Sequence, residues 1–362
     1  MLSPARVTAF DVLRKVDFGS YASDLLLTHA AALDSRDAGL ASEIVFGALR
    51  YQAQLDYLIE LYSGRRQKLD PEVRIALRMG IYQLRYLERV PPHAAVAESV
   101  ELVKRARKRS ATGFVNAVLR RVTREPVDWP SREVELSCPE WLLARWERQY
   151  GAEAARAIAL AALEEPEKYV RISAAGERRQ DIGAQSIIPL LRLEPGQTFL
   201  DLCAAPGNKT AQALESGVRA VAADLHFHRI AQLKNLGAPL LVLDGTKPLP
   251  FHRQFDRILV DAPCSGTGTL GRNPEIKWRL QPSDLEDLHG RQVALLANAR
   301  AALAPGGVLV YSTCSLEYDE NEAVVHTIPS RLVSREMRRI PGHDPGDGFF
   351  AAVIKSGEPA ND

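Results

Sequence analysis

Cysteine is scarce, with four residues in 362. Cys138, Cys203, Cys264 and Cys314 form no C-x-x-C pair and meet no His cluster at zinc spacing, so neither a disulfide framework nor a structural metal is expected. Long apolar runs are lacking too. Stretches such as "AIALAAL" reach a charge within a few residues, and the opening "MLSPARVTAF" has no charged-then-apolar leader, so the expectation is a cytoplasmic protein without a membrane segment. There is no internal repeat and no low-complexity tract. What remains is ordinary globular material, 46% hydrophobic and 25% charged. The length exceeds what one core serves, which predicts two domains and a connector.

Charge of one sign is missing only until the chain is divided. Residues 1–125 hold 20 Lys and Arg against 14 Asp and Glu, and the remainder holds 26 against 31, which together give the net +1. Much of the excess lies in "KRARKRS" (104–110) and "RRVTR" (120–124). That density suits a phosphate backbone, and a solvated helix face produces it as well.

Up to residue 125 the apolar spacing is helical. Ala9, Val12, Leu13 and Val16 fall at i, i+3, i+4, i+7, as do Leu55, Leu58, Ile59 and Tyr62, and again Val115, Val118, Leu119 and Val122. Gly and Pro punctuate the pattern at "FGSYAS", "YSGRRQKLDP" and "ERVPPH", and Pro71 suits a first helical turn. These residues predict an all-α bundle over 1–125. Residues 126–192 read as a Pro-interrupted connector with helices and a short strand at "KYVRIS". In the connector, Cys138 reads as a packing residue, and Trp141 and Trp146 as anchors on one helix. From 193 to 362 the strands "TFLDLC", "RAVAAD", "PLLVLD", "DRILVDAP" and "GVLVYSTC" alternate with helical stretches, the pattern of an α/β doubly wound, mostly parallel sheet. "LVSREMRRI" and "GFFAAVIKS" predict a closing antiparallel hairpin.

Ligands of such sheets bind beyond the carboxyl ends of the strands. The first strand runs into "DLCAAPGNKT" (201–210), where small residues let backbone amides approach a ligand, although the loop is a poor match to G-x-G-x-x-G and argues against NAD. Asp224 ends the second strand about twenty residues after that loop. An acid there takes the two hydroxyls of a ribose, or simply caps a helix. Asp244, ending the third strand, is placed to face an adenine amino group. Together these three ends imply an adenosine-containing ligand. Cys264 in "DAPCSGTG" and Cys314 in "STCS" follow two further strands, with Asp261 three residues before Cys264. Each cysteine alone reads as a small buried hydrophobe. A thiolate, a second thiol and a carboxylic acid around an adenosyl ligand suit one chemistry, methylation of carbon 5 of a pyrimidine. A thiolate adding at carbon 6 breaks the ring's conjugation and makes carbon 5 nucleophilic.

At these residues the sequence resembles the RNA 5-methylcytosine methyltransferases of the RsmB (Sun/Fmu) group, which modify bacterial small-subunit ribosomal RNA. The motifs are "DLCAAPGNKT", "FDRILVDAPCSGTGTLGRNPEIKWR" and "GGVLVYSTCSLEYDENE". The first 125 residues resemble the NusB-type RNA-binding domain of that group, through "RMGIYQLRYLERVPPHAAVAESVELVK" and "GFVNAVLRRV". The resemblance implies a Rossmann-like methyltransferase domain and 16S ribosomal RNA as partner, met before or during small-subunit assembly, with no membrane and no evident protein partner. It implies Cys314 as nucleophile, Cys264 as the thiol that aids product release, and Asp261 at the cytosine edge and near the methyl donor. Cys203, Ala204, Ala205, Pro206, Gly207, Asn208 and Lys209, with Asp224, Arg229, Asp244 and Asp261, would hold S-adenosylmethionine, with no metal. Arg272 and Pro274 match the segment that borders the target base, which must be flipped out to react.

Two departures from the family pattern stand out. Asn208 replaces the second Gly of Gly-Gly-Lys, in a turn that Asn is expected to preserve because it tolerates left-handed backbone. Only "AAGERR" remains between "KYVRIS" and "QDIGAQSIIPLL", where the family has further RNA-contacting elements. Two other readings stand beside this one. In a DNA cytosine methyltransferase the Pro-Cys cysteine would be the nucleophile, and "ENE" (320–322) imitates the acidic motif of those enzymes only superficially. A non-catalytic assembly protein with a decayed pocket would not retain both thiols, Asp261 and Lys209. His226 and His228 read as surface residues.

Overall fold

The computed structural model describes residues 2–64, 68–173 and 176–357, and the chain divides into two compact units. Met1–Glu165 with Leu270–Arg279 form the first, and Pro166–Thr269 with Leu280–Asp362 the second.

The first unit is helical, with α1 (Pro4–Val16), α2 (Ala22–His29), α3 (Ser35–Arg50), α4 (Gln52–Ser63), α5 (Pro71–Tyr86), α6 (Pro92–Arg105), α7 (Thr112–Leu119), α8 (Arg132–Glu135), α9 (Glu140–Tyr150) and α10 (Ala152–Ala161). The periodic residues do what their spacing predicts: Ala9, Val12, Leu13, Val16, Leu55, Leu58, Ile59, Val115, Val118 and Leu119 are buried in one core. Caps set the helix starts. The Ser3 hydroxyl accepts from the Arg6 amide at the head of α1, Asp34 does the same for Asp37 in α3, and Pro71 opens α5. Gly47 lets α3 approach α5, since a Cβ there would lie 1.9 Å from Cζ of Tyr82.

The expected connector over 126–192 is not a separate body. Its residues as far as Glu165 join the helical unit, because they bury apolar side chains and bond to α4. Trp146 and Cys138 are fully buried, Gln54 donates to the Glu135 carbonyl at 2.6 Å, and the Ala53 amide donates to the Ser137 hydroxyl at 3.0 Å.

The second unit opens with the antiparallel hairpin β1 (Val170–Ser173) and β2 (Gly176–Arg179), where Ala174 and Ala175 of "AAGERR" lie outside the described residues. After α11 (Ile182–Gln185) come β3 (Thr198–Asp201), α12 (Asn208–Leu214), β4 (Arg219–Asp224), α13 (Phe227–Ile230), β5 (Leu240–Val242) and β6 (Phe255–Asp261). The short helix α14 (Ile276–Arg279) belongs to the first unit, and the second resumes with α15 (Pro282–Ala301), β7 (Leu303–Thr313), α16 (Glu322–Val325), β8 (Val333–Arg339) and β9 (Phe349–Lys355). The seven-stranded sheet has the order β5-β4-β3-β6-β7-β9-β8, parallel except where β9 pairs antiparallel with β7 and β8. Alternate residues serve opposite faces. Leu200, Ile258, Val260, Leu309 and Tyr311 share a core with Leu295 and Leu296 of α15, whereas Phe199, Leu259 and Val310 pack with Ile188 and Leu191.

Candidate active site

The carboxyl ends of β3, β4, β6 and β7 lie along one edge of the sheet, where Asp261 pairs in register with Ser312. The Asp261 carboxylate is held from both sides. Lys209 Nζ donates to Oδ2 at 2.6 Å and Ser312 Oγ to Oδ1 at 2.8 Å. Burial works against the Lys209 ammonium, yet the facing Asp261 carboxylate outweighs it, and the Lys209 pKa ends above its ordinary value.

One residue past β7 and three past β6, the sulfurs of Cys314 and Cys264 stand 3.4 Å apart, and both side chains are half-buried. The hydrogen bond with Cys314, then burial, then the charges of Cys314 and Glu320 push the Cys264 thiol well above its usual range. Cys264 therefore keeps its proton at neutral pH, and either sulfur can be the donor in the pair. Gly268 ties the two turns together. Its amide donates to the Cys314 carbonyl at 2.9 Å, its carbonyl accepts from Gly348 at 2.8 Å, and a Cβ would lie 2.5 Å from the Gly348 oxygen.

The loop after β3 supplies the second half of the site. Ala205 and Pro206 are joined by a cis peptide, and Gly207 adopts φ +102°, where a Cβ would meet Leu233 at 2.7 Å. Asn208 is the first residue of α12 and has no positive φ, so the left-handed position falls on Gly207 and the Asn departure carries no backbone strain. Asp224 Oδ2 accepts from the Ala205 amide at 3.2 Å and Oδ1 from the His226 amide at 3.1 Å. Arg229 donates to the Ala205 carbonyl at 3.2 Å, and Asp244 accepts from the amide and hydroxyl of Thr246. Burial, then the carboxylates of Asp201, Asp261 and Asp224, raise the Cys203 pKa well above the ordinary thiol value, which removes Cys203 as a nucleophile.

Sequence reasoning missed several residues here. Asp201 is fully buried, accepts from the Thr210 hydroxyl at 2.6 Å through Oδ2, and leaves Oδ1 without a partner. Glu320, Asn321, Ser265, Ser315 and Gln292 form a buried polar network behind the cysteines. The one available signal was "ENE", which imitates a DNA-enzyme motif only superficially and whose partners at 265, 292 and 315 only the fold brings to it. Arg272 and Pro274 stand in the segment that packs with the helical unit, where Pro274 is buried. His226 and His228 are exposed. Among the described residues no three His, Cys, Asp or Glu are grouped to hold a metal, and no helix is long and apolar enough to cross a membrane.

Comparison with known proteins follows the same division. The sequence model of the family described as 16S rRNA methyltransferase RsmB/F matches residues 188–355, and that of the NusB family matches residues 3–124. The ribosomal RNA small subunit methyltransferase B of Cronobacter sakazakii is 31% identical over 410 residues, covering 94% of this chain and 95% of the relative. That of Escherichia coli O9:H4 has the same identity and coverage. An alignment of 410 positions against a chain of 362 residues means that the relatives carry segments this chain lacks. The crystal structure of PH0851 superposes with a TM-score of 0.77 at 20% identity, covering 98% of this chain and 99% of that one, which shows a shared fold.

Proposed function

This chain belongs to the 16S rRNA methyltransferase RsmB/F family, with a NusB-family amino-terminal region, and from that premise we propose that it methylates carbon 5 of a cytosine in 16S ribosomal RNA in the cytoplasm, using S-adenosylmethionine. The observation that carries the reading is the thiol pair at 3.4 Å beside a carboxylate clamped by Lys209 and Ser312.

The loop residues fit an adenosyl methyl donor. Cys203, Ala204, Ala205, Pro206, Gly207, Asn208 and Lys209 form a turn shaped by the Gly207 backbone and held at Ala205 by Asp224 and Arg229, and Asp224 and Asp244 would offer carboxylate oxygens to ribose and adenine. Asp201 Oδ1, buried at the head of that loop, has no hydrogen-bond partner among the described residues, which leaves it able to bond a ligand group. The donor, when bound, supplies a methyl group on a sulfonium.

The protein's residues do the rest. The Cys314 thiolate adds to carbon 6, and electron density moves to carbon 5 and toward ring nitrogen 3, where Asp261 takes the cytosine edge. Cys264, which keeps its proton, donates to the Cys314 sulfur and assists its departure once the carbon 5 proton has gone to a base. RNA meets the chain before or during subunit assembly, while the target cytosine can still be flipped out.

Cys264→Ala is expected to accumulate a covalent RNA adduct that survives denaturing electrophoresis, and Cys314→Ala to form none. An adduct in the Cys314 variant would exchange the two roles, the arrangement a DNA-type enzyme uses. Bisulfite sequencing of 16S RNA from cells lacking the protein should lose one protected cytosine. Titration calorimetry with S-adenosylmethionine should register binding, and its absence would favour an assembly protein with a decayed pocket.

A further inference from the structure

The triplet "ENE" at 320–322 lies outside every role assigned above. Glu320 is nonetheless fully buried, and its carboxylate gathers four donors. Oε1 accepts from the Ser265 amide at 2.8 Å and from Gln292 Nε2 at 3.0 Å, and Oε2 accepts from the Ser315 hydroxyl at 2.5 Å and from the Ser265 hydroxyl. The next residue continues the pattern, since Asn321 Oδ1 accepts from the Thr313 hydroxyl at 2.5 Å and Asn321 Nδ2 donates to the Ser315 carbonyl at 2.9 Å. Gln292 also donates to the Pro263 carbonyl at 2.9 Å.

Each cysteine is thus fixed through both chain neighbours. Pro263 and Ser265 flank Cys264, Thr313 and Ser315 flank Cys314, and all four are tied to Glu320, to Asn321, or to Gln292, which itself bonds Glu320. A buried carboxylate is costly unless its bonds are worth the desolvation. Here burial raises the Glu320 pKa while the Ser265 and Ser315 hydroxyls oppose the rise. Nothing about sheet formation requires an acid at this point. What four donors on one acceptor achieve is a fixed distance between two turns that come from different strands.

We propose that Glu320 is a positioning residue that joins the Cys264 and Cys314 turns, and that it acts in product release by keeping the Cys264 thiol within reach of the Cys314 sulfur. The inference rests on the proposed C5-methylation. In release the C5–H bond breaks and its proton passes to a base. Its electron pair forms the C5–C6 double bond, and the C6–S bond breaks with its pair on the Cys314 sulfur, which the Cys264 S–H stabilises. Of the two sulfurs, addition needs only that of Cys314. Release needs both sulfurs at the right spacing, so loosening the tie slows release more than addition.

The test uses the full chain with 16S RNA and S-adenosylmethionine, reading methyl transfer and denaturation-stable adduct together. Glu320→Ala is expected to lower turnover by about 10-fold or more, the worth of one good hydrogen bond, while adduct accumulates as in Cys264→Ala. Adding Cys314→Ala should abolish that adduct. Glu320→Gln keeps an acceptor for the Ser265 amide and Gln292, and the serine hydroxyls can rotate to meet its amide, so it should restore turnover to within about 3-fold of wild type. Should Glu320→Ala fail to bind the donor, Ser265→Ala combined with Ser315→Ala removes the hydroxyl links and is read the same way. Turnover and adduct falling in equal proportion in donor-binding variants, or no change in either, overturns the inference. If Cys264→Ala itself traps no adduct, it is the reaction assigned above that fails.

Discussion

Asp201 has no solvent exposure, one hydroxyl partner and an unpaired oxygen, and burial, against the Thr210 bond and with the charge of Asp261, lifts its pKa from 3.8 to about 7. A carboxyl whose folded pKa lies above its unfolded value keeps a proton that the unfolded chain has lost. Stability then falls as pH rises from about 4 to about 7, by about 4 kcal/mol for this shift. Asp201→Asn removes the titration and retains an acceptor for Thr210. The unfolding free energy of the variant relative to wild type should therefore climb from pH 4 to 8, read from urea midpoints. A flat difference across that range would mean that Asp201 is ionised throughout. The sequence displayed Asp201 plainly, but its depth is a property of the packed sheet. The same holds for Glu320, whose four donors come from three residues at positions 265, 292 and 315. Cys264, Cys314 and Asp261 were legible because strand ends are visible in the apolar pattern and all three sit at one edge.

At the scale of elements, the least legible piece is Leu270–Arg279. It follows β6 in the chain and its sequence is continuous with the strand motif, yet it serves the helical unit by satisfying helix ends. Glu275 Oε1 accepts from the Ala22 amide at 2.8 Å, at the start of α2, where Tyr21 offers no cap. Lys277 and Trp278 donate to the carbonyls of Arg50 and Leu49, the last residues of α3, each at 2.9 Å. Arg279 gathers the carbonyls of Val16, at the end of α1, and of Gly19 and Ser20. An acid at a helix start and cations at helix ends are the charges the helix dipoles favour. Hydrophobic periodicity locates helices but says nothing about which distant residue caps them, and so the segment was invisible. Arg279→Ala strips three carbonyls of a charged donor and should cost about 2 kcal/mol, detectable as an earlier loss of helical circular dichroism on heating. A variant that melts with wild type would show that water replaces the guanidinium.

For the whole molecule, the division of charge seen in the sequence acquires a location. Of the basic cluster ending α6, Lys104, Arg105 and Lys108 are spent on Glu101, Asp11 and Asp70. Arg107 and Arg109 are exposed, and Arg120 and Arg121, also exposed, bond to the neutral Asn116 side chain and Tyr62 carbonyl, which leaves their charge uncancelled. Four such arginines on RNA phosphates would release four counterions. The logarithm of affinity of the full chain for a single-stranded 16S fragment should then fall against the logarithm of salt with a slope of about −3. Arg107→Gln with Arg109→Gln should flatten that slope by about 1.4, in fluorescence anisotropy taken between about 50 and 300 mM salt. Glutamine keeps hydrogen-bonding capacity and removes only charge, so the change in slope isolates the electrostatic share. An unchanged slope with unchanged affinity would move the RNA contact away from this surface and leave the basic excess as a solvated helix face.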